Sequence, residues 1–286
     1  MVIPDRLARG WQGDEQGEAW LRGLPDAVHE LTDRWSLSLG RPFDHEEVSC
    51  AWVAPARRPD GSHAVLKLGL PHFEAEHEIA GLSFWSGEPT VRLLEADHDL
   101  NALLLERCHP GTPLRALPER EQDVVLAGLL RRLWRKPEEG VPFRHLSELR
   151  SQWVELSSLD PNRHDLPLIR DGRALFDELA SSSEDDVLLA TDLHAGNVLR
   201  AEREPWLVID PKPFLGDPAY DATQHLLNCE ARLCSDPFGT LTRVAELLDV
   251  DAERVRRWLF SRVAGERLPS DGSDDLLALA RKLAPQ

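Results

Sequence analysis

The chain has 286 residues, 42% of them hydrophobic and 29% charged, an ordinary globular composition with length enough for two packed lobes. A formal net charge of −17 argues against nucleic acid as a partner and suits a cationic ligand. No apolar run is long enough to span a membrane and the N-terminal stretch lacks the apolar core of a secretory signal. The four cysteines are scattered and read as reduced thiols, so a cytoplasmic protein with no membrane partner is expected.

Along the chain, Trp20, Leu21, Leu24, Val28, Leu31 and Trp35 recur at three- and four-residue spacing, which predicts an amphipathic helix between Ala19 and Leu39, entered near Pro25. Two strand-like runs follow, Val48–Val53 and Ala64–Leu68, with the hairpin signal Asp60-Gly61 between them. The run HFEAEHEIAGLSFW reads as a helix, and Val91–Leu94 and Ala102–Glu106 as a further strand pair. After Pro110 the pattern turns helical in EQDVVLAGLLRRLW, FRHLSELRSQWVELSSL and DGRALFDELAS. NVLRAEREPWLVIDP then reads as a short hairpin, and Tyr220 to Leu283 as helices again. The order predicts an α+β, two-lobed fold: a small antiparallel-sheet lobe over 1–107 and a mostly helical lobe over 108–286.

The chemistry concentrates in Asp192-Leu-His-Ala-Gly-Asn197 and in Asp210 at the end of the hairpin. The protein-kinase template has these residue types in this order: a base Asp, an Asn five residues on, and a second Asp after a short β excursion. One carboxylate must orient the acceptor hydroxyl and take its proton. An amide oxygen and a second carboxylate can hold Mg²⁺ against the phosphates of ATP. Asp192 is therefore the candidate base, and Asn197 and Asp210 the candidate metal ligands, all expected to converge in a cleft between the lobes. Lys67, ending the strand HAVLK, is the candidate phosphate contact, steadied by Glu78 with Glu74 as competitor. LLLERC runs into the lobe boundary, where backbone groups of Glu106 and Cys108 would meet the adenine.

These segments, with WLRGLPDAVHELTDRWSLSLGRPF, LLLERCHPGTPL and GDPAYDATQHLLN, resemble the aminoglycoside phosphotransferase superfamily, and within it the streptomycin 6-kinase and hydroxyurea phosphotransferase branch. The resemblance implies a protein-kinase-like fold and transfer of the γ-phosphate of ATP to a hydroxyl of a small, cationic acceptor, as in antibiotic resistance. It also implies that Asp217 braces the catalytic loop. The chain departs from the superfamily at Ala190-Thr191, where many members have His-Gly, and at Phe43-Asp44-His45-Glu46-Glu47, where relatives carry glycines. Glu230 and Asp236, on the segment after DATQHLLN, are candidate contacts for a guanidinium-bearing acceptor. Three other readings stand beside this one. The first is a kinase of a cellular sugar or amino alcohol, and the second a nucleotide-binding pseudokinase. The third is a helix-turn-helix regulator built on LTRVAELLDVDAERVRRWLF, against which the acidic charge weighs.

Overall fold

The computed structural model describes the chain except for residues 45–49, 74–75, 139, 184, 271–272 and 286. It divides into two compact units, one of residues 1–112 with 199–209, the other of 113–198 with 210–286.

The first unit opens with helices α1 (Asp5–Gly10) and α2 (Glu15–Arg34). The Asp14 carboxylate accepts from the Gly17 N–H and caps α2, so the helix begins ten residues before Pro25 rather than near it. Pro25 lies inside the helix, where it removes the N–H that would bond the Leu21 carbonyl. Next come β1 (Ser38–Leu39), β2 (Ala51–Arg57), β3 (His63–Gly69), α3 (Glu78–Trp85), β4 (Leu93–Asp97) and β5 (Ala102–Glu106). The five strands form one sheet in the order β1-β2-β3-β5-β4, antiparallel throughout. The β2 strand runs past Val53 and through Pro55, whose carbonyl accepts from the Gly40 N–H. The ring nitrogen of Pro55 faces that same edge, where β1 is only two residues long, so the missing donor costs the ladder nothing. Leu24, Val28 and Leu31 of α2 pack on Trp52, Leu66, Leu68 and Leu104 across one face of the sheet. Ile79 and Leu82 of α3 join Leu103 and Leu105 in a second cluster.

A hairpin of β7 (Val198–Arg200) and β8 (Trp206–Val208) belongs largely to this unit. Leu207 is fully buried in the cluster of Ile79 and Leu103, with Leu199 and Ile209 packed against it. Backbone bonds from Val91 N–H to the Val208 carbonyl (2.9 Å) and from Val208 N–H to the Pro89 carbonyl (3.0 Å) fasten it.

The second unit holds α4 (Glu119–Leu133), α5 (Leu166–Ser181), α6 (Pro218–Asn228), α7 (Glu230–Ser235), α8 (Pro237–Leu248), α9 (Ala252–Arg262), the single turn α10 (Leu268–Ser270) and α11 (Asp274–Leu283), together with a strand pair, β6 (Val187–Leu189) with β9 (Phe214–Gly216). That pair brings together the segments before Asp192 and after Asp210, and only its first strand has a clear apolar signature. The segment FRHLSELRSQWVELSSL, expected as a helix, is instead two short 3₁₀ pieces, Leu146–Gln152 and Leu156–Ser158. Ser151 and Ser158 turn their hydroxyls back onto the carbonyls of Glu148 and Glu155, local bonds that compete with a continuous helix. Val255, Trp258, Leu259 and Phe260 of α9 are buried, and the helix packs against α5 and α6, while Glu253 stays exposed. Phe176 meets Trp153, Tyr220 and Trp258 edge to face at 4.8, 6.4 and 5.3 Å between ring centres. No described helix is long and apolar enough to cross a membrane.

Candidate active site

In the first unit, Lys67 sits in β3 with Nζ 2.7 Å from both carboxylate oxygens of Glu78, in the first turn of α3. The two are only 8% and 4% exposed, so each charge relies on the other for the solvation it has lost. Glu74 lies outside the described residues, as do three of the residues of the Phe43–Glu47 stretch.

Glu106, at the end of β5, binds Arg203 in two parallel bonds: Nε donates to Oε1 and Nη2 to Oε2, each at 2.8 Å. Arg203 stands in the polar turn between β7 and β8, and also donates to the carbonyls of Gly87 and Thr90 at 2.9 Å. Burial pushes the Glu106 carboxyl up, but Arg203 and the Arg92 N–H outweigh it and hold the group below the ordinary glutamate value. The side chain is thus committed to the fold. The Cys108 thiol is buried and pushed up to about 12, by burial first and by Glu106 second, so it stays protonated and inert. Gly111 follows with φ +76°, and a Cβ there would lie 3.1 Å from the Cys108 carbonyl, so the turn out of this segment requires glycine.

In the second unit the loop carrying Asp192 leaves β6 through Thr191, a β-branched residue held at φ +45°. Such a conformation costs on the order of 1–3 kcal/mol and needs outside support. Asp221 of α6 supplies much of it. Its carboxylate accepts from the Ala190 N–H (3.0 Å), the Thr191 N–H (2.8 Å) and the Trp134 Nε1–H (3.0 Å). The Thr191 hydroxyl donates to the Lys212 carbonyl at 2.6 Å, and the Lys212 N–H to the Ala190 carbonyl at 3.0 Å. The segment carrying Asp210 is thereby bonded to the loop carrying Asp192. Asp210 itself has φ +52°, a turn that re-aims the chain directly after the hairpin.

The loop brace expected at Asp217 is therefore Asp221. Asp217 caps α6 through the Ala219 N–H (2.9 Å) and accepts from Trp258 Nε1–H (2.6 Å) and from Arg254. Both carboxylates lie in GDPAYD, but only the one a full turn into α6 points at the loop.

Asp192 is half-buried. Gln224 Nε2 donates to Oδ1 at 2.7 Å and Lys212 Nζ lies 2.8 Å from Oδ2. Asn197 is buried, and its Nδ2 donates to the Asp192 carbonyl at 3.0 Å, which fixes the amide with Oδ1 on the opposite side. An amide oxygen and the Asp210 carboxylate are hard oxygen donors of the kind Mg²⁺ takes. Among the described residues no group of three or more His, Cys, Asp or Glu could hold a metal by itself, so nucleotide phosphates and water would have to complete the coordination.

Glu230 is exposed in the first turn of α7. Asp236 caps α8, accepting from the Gly239 N–H at 3.0 Å, so one of its oxygens serves the helix. Neither is hydrogen-bonded to the catalytic loop. Sequence reasoning missed four residues around Asp192: Lys212, Asp221, Gln224 and Arg262. DPK after the hairpin was a readable signal for Lys212; the other three are joined to the loop only by the fold.

Residues 35–266 match the family model described as aminoglycoside/hydroxyurea antibiotic resistance kinase. The chain is 36% identical to a streptomycin 6-kinase from Streptomyces griseus, covering 97% of this chain and 93% of that protein. It is 40% identical to a hydroxyurea phosphotransferase from Kitasatospora aureofaciens, over 88% of this chain and 74% of that one. Among solved structures, choline kinase LicA from Streptococcus pneumoniae has a TM-score of 0.62 at 12% identity, covering 91% of this chain and 97% of that one. The aminoglycoside phosphotransferase APH(3'')-Id from Streptomyces rimosus has a TM-score of 0.54 at 20% identity, covering 89% and 98%. At those identities the likeness establishes the two-lobed kinase-like fold.

Proposed function

The chain belongs to the aminoglycoside/hydroxyurea antibiotic resistance kinase family and is a small-molecule phosphotransferase; from that premise we propose that it moves the γ-phosphate of ATP to a hydroxyl of a cationic aminocyclitol of the streptomycin type. Asp192 is the base in this reading. The acceptor O–H bond breaks, its proton passes to the Asp192 carboxylate, and the new O–P bond forms as the β–γ bridging bond breaks and ADP leaves with its electrons. The observation that carries the reading is the setting of Asp192: a half-buried carboxylate held from both sides, on a loop whose Asn197 amide is fixed beside it. Asn197 Oδ1 and Asp210 would hold Mg²⁺, which when bound neutralises charge on the transferring phosphoryl group. Lys67, steadied by Glu78, is proposed to contact the nucleotide phosphates, and the backbone of Glu106 and Cys108 the adenine. Glu230 and Asp236 are proposed contacts for the cationic groups of the acceptor. Use of ATP and the free cysteines suit the cytoplasm.

The test is nucleotide consumption with streptomycin, hydroxyurea, other aminoglycosides and simple amino sugars. Streptomycin is expected to be phosphorylated, and Asp192→Ala to lose about 10²–10⁴-fold in kcat with nucleotide affinity retained. Glu230→Gln is expected to raise KM for streptomycin while leaving KM for ATP unchanged. Turnover of a plain sugar or amino alcohol alone would replace this reading with a metabolic kinase. Tight Mg-ATP binding without turnover of any acceptor would make the chain a pseudokinase.

A further inference from the structure

We propose that Gln224 and Arg262 form a positioning relay that fixes the Asp192 carboxylate and makes Oδ2 the oxygen that receives the acceptor proton; this rests on Asp192 being the base. Gln224 and Asp221 are three residues apart on α6 and share the face turned to the catalytic loop. Asp221 holds the loop's backbone, and Gln224 holds its carboxylate. An amide side chain can face a carboxylate only with its NH₂ end, and what fixes that orientation here is Arg262. Its Nη2 donates to Gln224 Oε1 at 2.9 Å, and a guanidinium has donors only, so the oxygen end of the amide is committed and Nε2 is left for Asp192.

Arg262 is in turn held on several sides and is 5% exposed. Nη1 donates to the Thr223 hydroxyl at 2.9 Å, Nε to Glu266 Oε2 at 3.0 Å, and the guanidinium lies 4.8 Å from the centre of the Tyr220 ring. Glu266 sits in a π-helical turn, Val263–Arg267, at the end of α9. Wide turns of this kind are uncommon and recur near functional sites. This one is seated at two glycines, against α5 on one side and Trp153 on the other. A Cβ on Gly172 would come within 2.7 Å of Ala264, and one on Gly265 within 2.6 Å of Trp153. A buried, multiply bonded arginine at the end of a helix is a rigid anchor, and it reaches Asp192 through a single amide.

The two oxygens of Asp192 are therefore unlike. Oδ1 is bound to a neutral donor that cannot turn away without abandoning Arg262. Oδ2 faces Lys212, a charge on a flexible four-carbon stem that can yield its place to an incoming hydroxyl.

The experiment is a double-mutant cycle on kcat with the full-length enzyme: Gln224→Leu, Arg262→Lys and the pair, each checked for folding by thermal unfolding and for ATP affinity by titration. Gln224→Leu is expected to lower kcat about 10–100-fold with KM for ATP unchanged. Arg262→Lys is expected to cost less and to add nothing in the Gln224→Leu background, because it acts through the amide. Gln224→Glu keeps the bond to Arg262 but offers no donor to Asp192, and is expected to lose kcat as Gln224→Leu does; it serves if Arg262→Lys does not fold. Full additivity of the two losses, or wild-type kcat in Gln224→Glu, would overturn the relay while Asp192→Asn remained inactive. Activity in Asp192→Asn would instead remove the base assignment, and the relay with it.

Discussion

Asp221 is a carboxylate in the core of the second unit, accepting three N–H bonds with almost no water beside it. Burial pushes it up from 3.8 to about 6, against the pull of those donors and of Arg262. A group whose value is higher folded than unfolded contributes stability that is complete below about pH 4 and is lost as the pH rises through about 6. At about 1.4 kcal/mol per unit this amounts to about 3 kcal/mol. Asp221→Asn cannot ionise, so denaturant unfolding should show the variant gaining about 3 kcal/mol on the wild type between pH 4 and pH 7. Its kcat should nevertheless fall at least about 10-fold, because an amide cannot accept from all three donors and Thr191 loses support for its positive φ. A stability difference that stays constant with pH would show that Asp221 does not titrate in this range. At this scale a chemically imposed spacing marked Asp192, Asn197 and Asp210 as candidates, and the fold bonds Asn197 and the segment after Asp210 to the loop that carries Asp192. The sequence was illegible for Arg262, which lies 38 residues from Gln224 and has no pattern linking the two.

The β7–β8 hairpin shows what an element can do that its own residues cannot. Three-residue strands have little stability alone, and this pair is held by Leu207 in the first unit's core and by Arg203 clasping Glu106. Arg203→Ala takes two guanidinium bonds from Glu106, which keeps the Arg92 N–H, and one donor from each of two carbonyls, and should cost about 1–3 kcal/mol of unfolding free energy at neutral pH, measured in denaturant. Because Glu106 is held below its ordinary value, the contribution of the pair is present above the unfolded glutamate pKa and fades as the pH falls through the folded one, so the variant's deficit should shrink in acid. An unchanged denaturation midpoint would mean the clasp contributes nothing. The hairpin was readable from two apolar runs around EREP. Its docking was not, since no periodicity announces a salt bridge between residues 97 apart. The 3₁₀ segments over 146–158 were misread for the opposite reason: apolar spacing was present, but serine-to-carbonyl bonds decided the backbone.

At the scale of the molecule, the first unit is discontinuous in the chain. A fragment of residues 1–112 lacks Leu199, Leu207 and Ile209, and so exposes the cluster of Ile79, Leu82 and Leu103. Such a fragment should bind a hydrophobic dye and unfold without a sharp transition, whereas one carrying 199–209 on a flexible linker should regain cooperativity. A cooperative, dye-silent 1–112 fragment would show that the hairpin is dispensable. The change from a β-rich third to a helical remainder was legible in composition. The return of eleven residues to the first unit was not, because it follows from burial rather than from order along the chain.

The protein contains one tyrosine, Tyr220, and it lies beneath Arg262 with its ring 5.3 Å from that of Trp258. Biosynthetic incorporation of fluorotyrosine would therefore yield a single ¹⁹F resonance, with no assignment step. That one signal would sit against Arg262, which bonds the Gln224 amide that holds Asp192, and ring currents and the neighbouring positive charge would make it sensitive to small displacements. It would allow the support of the site to be followed in solution as nucleotide and acceptor are added in turn.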